Sequence, residues 1–229
     1  TAPAAVVQAF FPGEEGADAI AGVLSGRIVP SGRLPVSLPR SAGAQPYSYL
    51  HPRLGGPSEI TSADPTPVRP FGFGLSYTTF VREALSAPAQ SPTAGAFEVS
   101  VTVRNTGAVT SDDVVQLYAR DVFASVTRPV AQLLAYHRVS LAAGESVRVT
   151  FSVPTSRLAF TDRTGRRIVE PGRVELWVGP SCETREAETA LDLVGDLHVV
   201  TAEDSRLATA TLSAPASVPI VPARKAAAV

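Results

Sequence analysis

The chain has 229 residues, 45% of them hydrophobic, and a formal net charge of −1. That length allows one large domain or two modest ones with a buried core. No Lys/Arg run offers the basic face that neutralises phosphates, and no stretch approaches the roughly 20 apolar residues of a membrane span. No nucleic-acid or membrane partner is therefore expected. Lys225 is the only lysine and Cys182 the only cysteine, so an internal disulfide and a multi-cysteine metal site are both excluded. An isolated Cys of this kind reads as a small hydrophobe. The sequence contains no Met and opens Thr1-Ala2-Pro3 without a signal-peptide pattern.

In chain order, Ala4 to Phe11 is a short apolar run that reads as a buried strand, ended by Pro12-Gly13. From Glu14 to Ser25 the apolar residues Ala17, Ile20, Ala21 and Leu24 follow helical spacing. Glu14, Glu15 and Asp18 suit the positive end of that helix, and Gly26 closes it. One strand and one helix are half of an α/β unit, and a parallel sheet needs more strands than one. Residues 1–40 are accordingly expected to be the incomplete C-terminal end of an α/β domain, in a chain cut from something longer. Residues 41–80, rich in Pro, Gly and Ser, read as a long ordered loop and inter-domain linker.

From there the period changes to two. Val99, Val101 and Val103 alternate with polar residues, as do Val115, Leu117 and Ala119, then Val147, Val149, Phe151 and Val153, then Val174, Leu176 and Val178. Turns at Asn105-Thr106-Gly107, Ala143-Gly144-Glu145 and Glu170-Pro171-Gly172 separate them. Such alternation predicts a half-buried antiparallel sandwich over 81–212. The tail, 213–229, has no period and reads as a flexible terminus. The expected class is thus an α+β fragment, mainly an all-β sandwich preceded by a terminal α/β strand and helix.

Two blocks carry a family resemblance. One runs Phe11-Pro12-Gly13-Glu14-Glu15-Gly16 and on through Pro30-Ser31-Gly32-Arg33-Leu34-Pro35-Val36-Ser37-Leu38-Pro39; the other is Pro70-Phe71-Gly72-Phe73-Gly74-Leu75-Ser76-Tyr77-Thr78-Thr79-Phe80. Together they resemble the end of the α/β sandwich domain of family 3 glycoside hydrolases. Val103-Arg104-Asn105-Thr106-Gly107, Val115-Gln116-Leu117-Tyr118, Arg128-Pro129 and Val169-Glu170-Pro171-Gly172 resemble that family's fibronectin-III-like domain. The stretch from Tyr49 to Gly56 looks like the bacterial β-xylosidase-type members. The resemblance implies a parent enzyme that removes β-linked glucose or xylose from the non-reducing end of oligosaccharides, retaining configuration by a two-step covalent mechanism. It implies no metal or organic cofactor. It also places the Asp nucleophile on an upstream TIM barrel and the Glu acid/base earlier in the α/β domain, so no residue here inherits either role.

The residues themselves agree. A retaining glycosidase needs two carboxyl groups about 5–5.5 Å apart. Glu14 and Glu15, neighbours on a helix, diverge by about 100° and read as helix-start acids. Asp112-Asp113 reads as a solvated strand start, and His51, His137 and His198 show no ligand spacing. His51, in the long loop, is the one candidate for a sugar contact. Trp177 is out of phase with the core residues beside it, so it should point away from the sandwich core, onto a neighbouring domain or as a stacking platform with Tyr118. Phe71, Phe73, Tyr77 and Phe80 read as an aromatic wedge between domains. The rival functions are a carbohydrate-binding module, which would need several exposed aromatics on one face, and a purely bracing module.

Overall fold

The structure, a computed structural model, describes residues 3–45, 47–57, 59–60, 64–214 and 216–217. Helix α1 (Gly16–Leu24) comes first. Strands β1 (Phe80–Ser86), β2 (Gln90–Pro92), β3 (Ala96–Asn105), β4 (Ser111–Asp121) and β5 (Gln132–Leu141) follow the long loop. Then come β6 (Glu145–Pro154), β7 (Phe160–Thr161), β8 (Arg167–Val169) and β9 (Gly172–Val178). The chain finishes with β10 (Ala187–Val194), β11 (His198–Val199), β12 (Thr209–Leu212) and β13 (Ala216–Ser217).

These strands form two five-stranded sheets, ordered β1-β3-β6-β12 with β13 also on β6, and β2-β10-β9-β4-β5; a small β11-β8-β7 sheet stands apart. The alternating valines decide which faces meet. Val99, Val101 and Val103 of β3, Val149 and Phe151 of β6, Val115 and Leu117 of β4 and Leu176 of β9 have lost all contact with solvent. Each such side chain contributes roughly 1.5–3 kcal/mol of burial, so the sandwich has a core of its own. The Asn105 turn is pinned through its fully buried amide. Its Nδ2 donates to the Val109 and Leu141 carbonyls at 2.8 and 3.0 Å, while Oδ1 accepts from Thr78 Oγ1 at 2.7 Å and from the Gly107 amide at 3.1 Å.

Three expectations need correction. Residues 4–11 form no strand, and all of them are exposed. A strand is stabilised by its neighbours, and no described segment pairs with this one. Helix α1 does form, and Gly26 closes it with φ +77° and an N–H bonded to the Val23 carbonyl. Its buried residues, however, are Gly16 and Gly22, while Leu24 is 70% exposed and Glu15 at the N-cap makes no side-chain capping bond. Of the expected flexible tail, Ser213 donates its N–H to the Arg148 carbonyl and β13 pairs with β6, whereas 218–229 lie outside the described residues.

This burial sets the order of hydrogen exchange. Amides of β3, β4, β6 and β9 should exchange last, and those of residues 3–24 early. Strong protection in the first 40 residues with none in the sandwich would reverse the assignment.

Candidate functional site

A dense polar site lies where residues 30–38 and 68–82 meet the sandwich. The two segments zip together first. Leu34 N–H donates to the Phe73 carbonyl, Gly72 N–H to Leu34, Leu38 N–H to Arg69 and Val68 N–H to Leu38, at 2.8–2.9 Å. Phe71 N–H adds a bond to Ser37 Oγ at 3.0 Å. The long loop is thereby closed at its base.

Asp113 is the hub of the site. It shares the parity of Val115, Leu117 and Ala119 on β4 and is 0% exposed, so the solvated strand start expected for it is wrong. Arg82 Nη2 lies 2.7 Å from both of its carboxylate oxygens, and Arg33 Nη2 is 2.6 Å from Oδ1. Arg82 Nη1 also reaches Glu186 Oε2 at 3.0 Å. Burial opposes the Arg82 charge, but Asp113 and Glu186 outweigh it and hold the pKa above its ordinary value. At Arg33 burial wins over the attraction of Asp113 and lowers the pKa; a guanidinium remains protonated all the same. Asp112, next along, faces outward and pairs with Arg138 at 3.1 Å.

Beside this cluster runs a column of rings. Tyr49 stacks on Phe71 at 4.1 Å between centroids, Phe71 meets Tyr118 edge-on at 6.4 Å, and Tyr118 stacks on Trp177 at 5.8 Å. The Arg185 guanidinium lies 4.2 Å over the Trp177 ring. Polar edges are tied in as well. Tyr118 Oη donates to Gln116 Oε1 at 2.9 Å, Gln116 Nε2 to the Gly72 carbonyl at 3.1 Å, and Cys182 N–H to the Phe71 carbonyl at 3.0 Å. Gly72 has φ +82°, and a Cβ there would collide with the Tyr118 hydroxyl and the Gln116 amide, so glycine is required.

The wedge expectation is met unevenly. Phe71 is in the column, Phe73 lies under the Arg69 guanidinium at 5.0 Å, and Phe80 packs against the sandwich core. Tyr77 is 52% exposed, with its hydroxyl donating to the Val23 carbonyl of α1 at 2.6 Å. Trp177 does point away from the sandwich core, but with Tyr118 it is buried beneath the loop and linker, at 1% and 0% exposure. These two rings cannot serve as a sugar-stacking platform, which removes the main support for a carbohydrate-binding module. Cys182 packs into the same cluster, where burial pushes its thiol up to about 12, leaving no reactive thiolate.

The remaining candidates are scattered. His51 is half-buried in the long loop, its Nδ1 2.8 Å from the Pro52 carbonyl and its own carbonyl accepting from Val130 N–H at 3.0 Å. The Tyr47 ring is 5.7 Å away. Burial raises the pKa of nearby Glu183, and His51 pulls it back. His198 pairs with Asp204 at 2.9 Å, and His137 sits half-buried on β5. Glu14 and Glu15 are both exposed. Among the described residues no group of three or more His, Cys, Asp or Glu gathers to hold a metal ion. Sequence reasoning missed Arg33, Arg82 and Gln116 as partners. The legible signal was an aspartate in the register of core valines, which demands buried cations.

Residues 1–77 match the glycosyl hydrolase family 3 C-terminal domain and residues 113–182 a fibronectin type III-like domain. A β-xylosidase of Formosa agariphila is 38% identical over 188 residues, covering 80% of this chain and 26% of that protein. A periplasmic β-glucosidase of Salmonella typhimurium is 38% identical over 187 residues, covering 76% and 24%. A β-glucosidase from Listeria innocua, solved in complex with glucose, superposes with a TM-score of 0.76 at 32% identity, covering 82% of this chain and 28% of that one. The chain thus spans about a quarter of the length of the curated relatives it matches.

The ion cluster makes a sharp mutational prediction. Asp113→Ala strips Arg33 of its carboxylate and leaves Arg82 with Glu186 alone, and should cost about 3–5 kcal/mol in urea denaturation. The same change at half-buried Asp112, whose pair with Arg138 lies at the surface, should cost under about 1 kcal/mol. Equal losses at the two positions would refute the role given to Asp113.

Proposed function

The chain is a C-terminal segment of glycoside hydrolase family 3, and from that membership we propose that its parent is a retaining exo-β-glycosidase acting on β-glucosides or β-xylosides. Within that parent this segment braces the catalytic domains. Residues 1–40 are the end of the α/β domain, 41–80 the loop and linker, and 81–212 the sandwich. The observation that carries the reading is the Arg33–Asp113–Arg82 cluster. It fastens the segment matched to the family 3 domain onto the sandwich through a buried bond that a free-standing sugar-binding module would not need. Val6, Phe11 and Leu24, at 73%, 102% and 70% exposure, offer apolar surface for the rest of an α/β domain to cover.

The nucleophile and acid/base belong to upstream domains in this reading, since Glu14 and Glu15 are adjacent and exposed. His51 is the residue proposed to reach substrate. With Nδ1–H donating to the Pro52 carbonyl, Nε2 is left as an acceptor for a sugar hydroxyl.

The 229-residue chain alone should show no turnover of 4-nitrophenyl β-glucoside or β-xyloside, while the parent enzyme hydrolyses at least one of them. Turnover by the isolated chain that vanishes in Glu15→Gln and survives in Glu14→Gln would overturn the reading. So would a parent enzyme that is folded and inert toward both.

A further inference from the structure

Between β4 and β5 the chain leaves the sheet and returns through residues 122–130, and this excursion, with Arg53 from the long loop, encloses a cavity of about 360 Å³. That lies within the size range of small-ligand sites and is larger than a lone ion requires. Its walls are mainly polar and unusually cationic. Arg53, Arg120, Arg128 and Arg163 all line it, with Asp121 as the lining carboxylate.

The cations divide into two kinds. Arg128 is fully committed to the fold: Nη2 donates to the Leu158 carbonyl at 2.7 Å, Nε faces Asp121 at 3.3 Å, and the guanidinium lies 4.6 Å over the Phe160 ring. Among the described residues the carboxylate nearest Arg120 is that of Glu175, at a long 3.9 Å. Neighbouring Glu170 is turned to the loop backbone, accepting from Ser125 N–H at 2.9 Å. Arg53 and Arg163 are exposed, and their guanidiniums meet no carboxylate among the described residues. Two arginines from distant parts of the chain, both without a counter-ion, therefore face one concavity. Positive charge gathered in this way raises the local concentration of an anion.

We propose that this cavity is a non-catalytic binding site for an acidic saccharide, a sugar bearing one carboxylate such as a uronate. Arg53 and Arg163 supply planar forks that match a carboxylate in a two-pronged fashion. Asp121 in the same wall repels a compact dianion such as phosphate. Phe123, 82% exposed on the cavity's edge, offers a face for the C–H-rich side of a pyranose, and the Ser125 and Thr127 hydroxyls can bond ring hydroxyls. The assignment needs no hydrolytic step, so it stands or falls apart from the glycosidase reading.

The test is a titration of the 229-residue chain, followed by calorimetry and amide NMR, with methyl β-glucuronide, methyl β-glucoside, acetate and inorganic phosphate. The glucuronide should bind at least about tenfold more tightly than each of the others and shift amides of residues 122–130. Arg53→Gln with Arg163→Gln should weaken it by well over about tenfold, since one lost charge-assisted bond alone is worth about that much, with an unchanged melting temperature. Arg163→Gln alone serves if the double variant melts early, and Phe123→Ala should weaken the glucuronide but not acetate. Glucuronide binding no tighter than acetate, phosphate or the glucoside would overturn the proposal. So would wild-type affinity in the arginine variants, or shifts confined to other residues.

Discussion

A carboxylate shut away from water stays charged only if cations are brought to it, and Asp113 draws its two from positions 31 and 80 residues away. The desolvation of three charged groups is offset by short, well-aligned contacts and by the fourth member, Glu186, at the edge of solvent. Because three charged groups must meet away from water, the cluster favours one arrangement of the 30–38 segment against the sandwich. Apolar packing alone would tolerate sliding; this geometry does not. The bond therefore sets position more than it adds stability.

The other contacts build outward from that fixed point. With Arg33 held, Leu34 to Leu38 lie where the 68–73 segment can pair with them, and Gly72 is drawn against Gln116 and Tyr118. Closing a loop the length of 39–67 costs only slightly more than closing a shorter one, because the entropy grows with the logarithm of length. The cost is concentrated in ordering its base, and the base is where the hydrogen bonds and stacked rings are found. His51 is carried on a loop fixed at its ends by this zipper and midway by the Val130 bond to the His51 carbonyl.

Much of the sandwich was legible because period-two alternation of β-branched residues admits few other readings. Trp177 was correctly directed away from the core by the same parity, yet nothing in the alternation said that Phe71, Tyr49 and Arg185 would cover its face. Asp113 carried the strongest signal that was overlooked. Read with Asp112 as a polar pair it looked solvated, whereas its register with Val115 placed it inside. Residues 4–11 misled in the opposite direction: an apolar run has the composition of a strand, but strand formation depends on a neighbour that composition cannot reveal. The rings of the 70–80 segment announced a junction, but partners such as Val23, Tyr49, Tyr118 and Cys182 lie too far along the chain for local patterns to connect.

The burial of Cys182 has a practical meaning for tracking this junction. Its sulfur lies in the same small cluster as Tyr118 and Trp177, its amide is bonded to the Phe71 carbonyl, and no other thiol exists in the chain. A thiol reagent reaches it when this cluster on the outer face of β4 and β9 opens. Alkylation rate thus becomes a clock for opening of this junction, and the protein carries its own probe of that motion without any introduced label.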